Sequence, residues 1–120
     1  MARNPRTTDF ARAFAEALGL PRTARAIIDA LARARGRLAV DDIVRRVRSS
    51  ERSVRENLSL LLQRGVLERR IFVTTNKKLA YLYSLRPVED LLAAARGDLA
   101  RTLSRIERVA RRLHDPTARG

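Results

Sequence analysis

The spacing of apolar residues changes within the segment 41–85, and this change constrains the fold more than any other feature. Two apolar sets with helical spacing come first, separated by Ser49–Ser50 and ending before Gly65. Their members are Ile43, Val44 and Val47, then Val54, Leu58, Leu61 and Leu62. Apolar and polar residues then alternate with a period of two over 67–73 and 79–85, around a polar tip. Two helices joined by a tight turn and followed by a hairpin predict a winged helix-turn-helix.

Further helical patterns precede this unit. Residues 1–7 are predicted to form a basic N-terminal arm, and Thr8 is expected to cap a first helix that ends at Gly19. A second amphipathic stripe runs from Pro21 to Gly36, and residues 38–40 are a short apolar connector or edge strand. The predicted fold class is mainly α with a small β-hairpin wing, and the winged helix-turn-helix domain is predicted at residues 8–86.

The last helical pattern is longer than the others and is predicted at residues 87–115, followed by a frayed tail at 116–120. Its apolar residues recur at about heptad spacing, which is typical of a coiled coil. The stripe could fold back on its own domain or pair with a second copy. Its length favours a dimerisation helix, because fewer turns would cover so small a domain. The candidate dimer interface is Leu92, Leu99, Leu103, Ile106, Val109 and Leu113.

Net charge indicates the kind of partner. The sequence has 26 basic and 13 acidic residues, a formal net charge of +13. Residues 1–85 hold 18 basic and 8 acidic residues, so most of the excess lies with the predicted winged-helix domain. An excess of this size favours a polyanion, and with this fold the expected partner is double-stranded DNA. GC-rich coding or a hot habitat also produces arginine-rich sequences, and this explanation stays open.

Several classes of protein are disfavoured. The absence of cysteine excludes disulfides and thiolate metal sites. His114 is the single histidine and lies near the C-terminus, away from any nucleophile, so we expect no catalytic site, metal or cofactor. No apolar run reaches the roughly 18 residues of a membrane span, and no signal-peptide core is present. The expected location is the cytoplasm, in association with the nucleoid.

Candidate DNA contacts lie at the start of the second helix of the helix-turn-helix. With Val54 buried, a step of 100° per residue turns the N-terminal polar residues outwards. Helix-turn-helix proteins insert this half into the major groove, where arginine binds guanine through two hydrogen bonds. The predicted recognition residues are Ser50, Arg52, Ser53, Arg55 and Glu56. The alternative is a solvated helix face, and Glu51 and Glu56 would repel phosphate unless they pair with arginine.

Two further groups are candidates for contact with the DNA backbone. The first lies on the preceding helix and turn and comprises Arg45, Arg46 and Arg48; the alternative is ordinary surface charge. The second is the hairpin tip, suited to the minor groove or to flanking phosphates, and comprises Thr75, Asn76, Lys77 and Lys78. A charged tip of this kind could instead prevent edge-to-edge pairing of sheets.

The segment from Ser49 to Glu68, SSERSVRENLSLLLQRGVLE, resembles the recognition helix and exit of archaeal TrmB-like and MarR-like winged-helix regulators. The segment YLYSLRP at 81–87 is similar to the strand that closes the wing in that family and leads to the dimerisation helix. The resemblance is specific over 41–87 and looser over 20–113. It implies a short single-domain regulator without sugar sensing, because one helix stands where full-length TrmB-like proteins have a large sugar-binding domain.

Three functions are compatible with these features. The first is a homodimeric DNA-binding transcriptional regulator. The second is an architectural DNA-binding protein of the same fold with little sequence preference. The third is a protein-interaction winged helix within a transcription or replication assembly. The sequence gives no operator, no sign of regulation and no small-molecule effector.

Overall fold

The computed structural model describes residues 5–114, which form five helices and three strands. The elements in chain order are α1 (Pro5–Ala17), α2 (Arg22–Ala34), β1 (Leu38–Ala39), α3 (Val40–Val47), α4 (Glu51–Gln63), β2 (Leu67–Val73), β3 (Leu79–Leu85) and α5 (Val88–His114).

The first helix starts earlier than the sequence predicts. α1 begins at Pro5, so Thr8 lies inside the helix and the prediction that it caps the helix is wrong. Of the predicted arm, residues 5–7 therefore belong to α1 and residues 1–4 lie outside the described residues. Residues 115–120, which include the predicted tail, also lie outside them.

The hairpin has the predicted strand bounds. β2 and β3 pair antiparallel from Leu67 opposite Leu85 to Val73 opposite Leu79. β1 adds an edge strand beside β3, with Leu38 opposite Tyr83, so the sheet order is β1-β3-β2. Gly65 separates α4 from β2 with a φ of +74°, a left-handed conformation that favours glycine. The change in the spacing of apolar residues therefore coincides with the boundary between α4 and β2.

The core lies where α2, α3 and α4 meet the base of the sheet. Its fully buried side chains are aliphatic, and none of the buried residues in the described part of the chain is polar or charged. They include Ile27, Ile28, Leu31, Ile43, Val54, Leu58, Leu61, Val66 and Leu67. This packing fixes the apolar stripe of α4 inwards and leaves the opposite face of that helix in solvent.

α5 packs against the rest of the chain only over its first turns. Leu91 is buried and Ala95 is partly buried against the core, while Asp98 lies 3.7 Å from the Arg64 guanidinium at the end of α4. All residues from 99 to 114 are exposed, and this stretch extends about 24 Å. The hypothesis that the stripe folds back on its own domain is therefore wrong for the described chain.

Candidate nucleic-acid interface

The proposed recognition helix, α4, begins with a serine cap. The Ser53 backbone N–H donates to Ser50 Oγ at 3.1 Å, with Ser50 in an extended conformation before the first helical residue. This bond satisfies one of the N–H groups that a helix start leaves without a partner. Ser50, predicted as a DNA contact, thus first fixes where α4 starts. Its hydroxyl hydrogen still suits a phosphate oxygen as acceptor.

We expect Ser50→Ala to destabilise the protein by about 1 kcal/mol, because the capping bond is lost. Ser50→Asp should retain most of the stability, since aspartate also caps helices well. Urea unfolding followed by circular dichroism measures both changes. Equal stability of the alanine variant and the wild type would contradict a capping role.

Two arginines on the outward face of α4 are tied to glutamates one turn away. Arg52 Nε donates to Glu56 at 3.2 Å, and Arg55 Nε donates to Glu51 at 3.0 Å. The Arg52 side chain is 90% exposed, so its ion pair is screened by water and stabilises the protein by at most about 1 kcal/mol. Both pairs use Nε, which leaves the terminal N–H groups of each guanidinium for a further acceptor such as guanine.

Ser53 is turned towards α2 rather than fully outwards. It is half-buried, and its hydroxyl donates to Thr23 Oγ1 at 3.4 Å. Thr23 Oγ1 also lies 3.4 Å from Ser49 Oγ, so three hydroxyls meet where the turn joins α4 to α2. Thr23 was missed because its partners lie 26 and 30 positions away, and no local pattern carries that information.

The three arginines predicted to contact the DNA backbone separate into two environments. Arg45 is paired with Asp42 on α3. Arg46 and Arg48 instead line an open cleft between α2 and α3. The other charged residues that line this cleft are Arg22, Asp29 and Arg33. Four arginines and one aspartate make the cleft electropositive, as a phosphate contact requires.

The wing tip is a turn closed by backbone bonds. The Thr74 N–H donates to the Lys78 carbonyl, and the Lys77 N–H donates to the Thr74 carbonyl, both at 2.9 Å. Thr74 Oγ1 accepts a third bond from the Lys78 N–H at 3.1 Å. Residues 75–78 are all exposed. The turn therefore presents both lysines to solvent at the end of the hairpin.

We expect replacement of Lys77 and Lys78 by alanine to weaken binding to every duplex and to lower the slope of log affinity against log salt by about 1 to 2. Each phosphate contact releases condensed counterions, so the magnitude of the slope is proportional to the number of phosphate contacts. Fluorescence anisotropy over a salt series measures it. A matched control replaces Arg12 and Arg25, two exposed arginines on α1 and α2, by alanine. An unchanged slope in the lysine variant would show that the wing does not touch the backbone.

The outer half of the wing also carries an exposed apolar face. Ile71, Val73 and Leu79 are each more than half exposed, and the register places them on one face of the hairpin with Tyr81. The Arg69 guanidinium covers the Tyr81 ring at 4.3 Å from its centroid, a cation–π contact. The alternation in the sequence predicts an apolar face for both strands, but only the base of the hairpin is buried.

The predicted dimer interface lies on one side of α5, and nothing within residues 5–114 covers it. All six residues are exposed, from 38% at Leu92 to 80% at Leu113. A contiguous apolar stripe on a projecting helix is typical of a surface that another polypeptide covers.

Within residues 5–114 no three His, Cys, Asp or Glu side chains are grouped so that they could hold a metal ion. No helix in the same range is long and apolar enough to cross a membrane.

Comparison with known proteins supports the fold. The sequence matches no family model, and no curated protein matches it. Among solved structures, the chain is similar to a "possible transcriptional regulator" of Methanosarcina mazei Go1, with a TM-score of 0.70 and 11% identity over 84% of this chain and 85% of that one. It is also similar to a MarR-family transcriptional regulator of Silicibacter pomeroyi, with a TM-score of 0.51 and 18% identity over 82% of this chain and 67% of that one. The chain therefore has the winged-helix fold of these two regulators.

Proposed function

We propose that this protein is a homodimeric, sequence-selective DNA-binding transcriptional regulator. In this proposal α4 enters the major groove, the wing contacts the minor groove or the flanking backbone, and α5 forms the dimer. The proposal includes a cytoplasmic location in association with the nucleoid, because the proposed ligand is DNA. The similarity to two transcriptional regulators supports the proposal at the level of the fold.

One observation carries the DNA-binding part of the proposal. Arg52 and Arg55 project from the first turns of α4 into solvent; Arg52 lies on the face opposite the buried residue Val54, and Arg55 lies on the flank of that face. Helix-turn-helix proteins present this part of the helix to base edges. The glutamates beside the arginines do not exclude such a contact, because exposed ion pairs exchange readily for a stronger acceptor.

The dimer is supported by what α5 leaves uncovered. Its apolar stripe continues past the end of the packed body, and each further turn adds apolar surface that the described residues leave exposed. Pairing of two such helices buries both stripes at once. A dimer also presents two copies of α4, which a palindromic operator would match.

The most direct experiment is the selection of bound sequences from random duplex. A regulator enriches a motif, and a dimer enriches two half-sites in inverted orientation at a fixed spacing of about one helical turn. Bound duplex without enrichment contradicts sequence selectivity. Failure to bind any duplex favours the protein-interaction function instead.

Architectural DNA binding is a second candidate, and one observation favours it. Both outward arginines of α4 are paired with carboxylates, which weakens base reading. Of the cleft arginines, Arg33 is paired with Asp29, but within residues 5–114 Arg22, Arg46, Arg48 and both lysines of the wing form no ion pair. Binding through phosphates alone gives affinity with a strong salt dependence and little preference among sequences. The ratio of affinities for selected and scrambled duplex separates the two candidates.

A further inference from the structure

In the exposed part of α5, arginine and apolar residues lie on different faces of the helix. With 100° per residue, Arg101, Arg105, Arg108 and Arg112 fall within an arc of about 60°. The centre of this arc lies roughly 145° from the centre of the apolar residues Leu99, Leu103, Ile106 and Leu113, and Val109 lies between the two faces. We call these four residues the arginine row; it runs for about 16 Å along the helix.

The arginine row has a single sign of charge. Residues 99–114 contain five arginines and one acidic residue, Glu107, which lies on the flank between the two faces. Arg101 is paired with Asp98 at 2.9 Å. Within residues 5–114, Arg105, Arg108 and Arg112 make no ion pair, and all three are exposed.

This arrangement differs from the usual solvated face of a long helix. Exposed helix faces commonly mix both signs at steps of four residues, because such pairs stabilise the helix. Here the steps of four, from Arg101 to Arg105 and from Arg108 to Arg112, join like charges, which destabilise an isolated helix. A bound polyanion removes this repulsion. The small side chains of Ala100 and Ser104 lie beside the row and leave it open to an approaching backbone.

We propose that the arginine row of α5 is a second DNA-binding surface, which contacts the phosphates of duplex DNA independently of α4 and the wing. The inference goes beyond the proposed function and does not depend on base reading. In a dimer that pairs through the apolar stripes, the two rows face away from the seam, so dimerisation leaves them accessible. Over 16 Å a duplex presents about ten phosphate charges, enough to engage the whole row.

The test compares salt slopes on a long duplex that lacks any selected motif. The first variant replaces Arg105, Arg108 and Arg112 by glutamine. A matched control replaces three exposed arginines outside α5 by glutamine and so removes the same charge; they are Arg12, Arg25 and Arg37. Three lost phosphate contacts lower the slope by about 2 to 3, since each contributes about 0.9. The control should change the slope by less than 1. Equal effects of the two triple variants would overturn the proposal.

Two further measurements separate binding from other causes. Replacement of the same three arginines by lysine keeps the charge and should keep the slope; a loss that lysine does not restore would indicate a structural role and overturn the proposal. An amphipathic basic helix also suits an anionic membrane surface. Vesicles of phosphatidylserine and phosphatidylcholine test this alternative. If the glutamine variant loses vesicle binding but keeps the duplex slope, the row binds lipid rather than DNA.

The outcome is distinguishable from failure of the proposed function. If selection from random duplex enriches no motif but the glutamine variant still lowers the slope, the arginine row binds DNA in a protein without sequence selectivity. If a motif is enriched and the slope is unchanged, the regulator proposal stands and the second surface is wrong.

Discussion

Replacing Ile106 with aspartate is expected to convert the proposed dimer into a monomer. Ile106 lies in the middle of the exposed apolar stripe of α5, between Leu103 and Val109, and is 58% exposed in the single chain. In a paired seam the substitution buries an unpartnered carboxylate in each helix, which costs about 3 to 5 kcal/mol. The dissociation constant should therefore rise by at least roughly 100-fold. Sedimentation equilibrium over a range of concentrations measures the mass directly.

The control for this experiment lies on the same helix. Ser104→Asp introduces the same charge two positions away, outside the apolar stripe, and should leave the mass unchanged. The Ile106→Asp monomer should retain the circular dichroism of the folded domain, because Ile106 is not part of the hydrophobic core. A wild-type protein that is monomeric at high micromolar concentration, or an Ile106→Asp variant that stays dimeric, contradicts the dimer seam.

Loss of Arg52 or Arg55 is expected to remove sequence discrimination before it removes affinity. A good bidentate contact to guanine contributes about 1 to 3 kcal/mol of discrimination, so each alanine variant should lower the ratio of selected to scrambled duplex affinity by roughly 5- to 150-fold. Affinity for scrambled duplex should fall less, because phosphate contacts elsewhere remain. All ratios must be measured at one salt concentration, since affinity for DNA depends steeply on salt.

The ion pairs of α4 determine the control for these variants. Arg52→Ala leaves Glu56 without its partner, and the freed carboxylate repels every duplex whatever its sequence. Comparison of the double variant Arg52→Ala/Glu56→Ala with Glu56→Ala alone removes that repulsion from both proteins and isolates the base contact of Arg52. A ratio near one in the wild type would favour architectural binding. A large wild-type ratio that both single variants keep would show that other residues of the protein read the bases.

Sequence and structure agree best where a signal is local. The alternation over 67–73 and 79–85 gave both strands of the wing with their observed bounds, and Gly65 has the left-handed conformation expected of it. The apolar spacing of α4 likewise identified Val54, Leu58 and Leu61 as buried. Each signal depends on neighbours in the chain, which backbone geometry places at fixed angles, so periodicity alone decides which face is apolar.

Prediction was weaker at helix starts and for individual side chains. Thr8 and Ser50 both suit a capping position, and of the two only Ser50 caps a helix, because Thr8 lies inside α1. Several residues of a type that favours capping can precede or lie within one helix, so residue type alone does not identify the cap. The packing of the helix determines where it starts.

The sequence by itself determined the order of the elements, the strand bounds of the wing and the apolar stripe of α5, because all three follow from repeat lengths along the chain. Only the tertiary structure decided that Ser53 turns towards Thr23 of α2, and that the outer wing and the stripe beyond Asp98 stay uncovered. These features depend on how much of each apolar face is buried against the small core. The extent of this burial depends on packing between segments far apart in sequence, so the local spacing of apolar residues does not predict it.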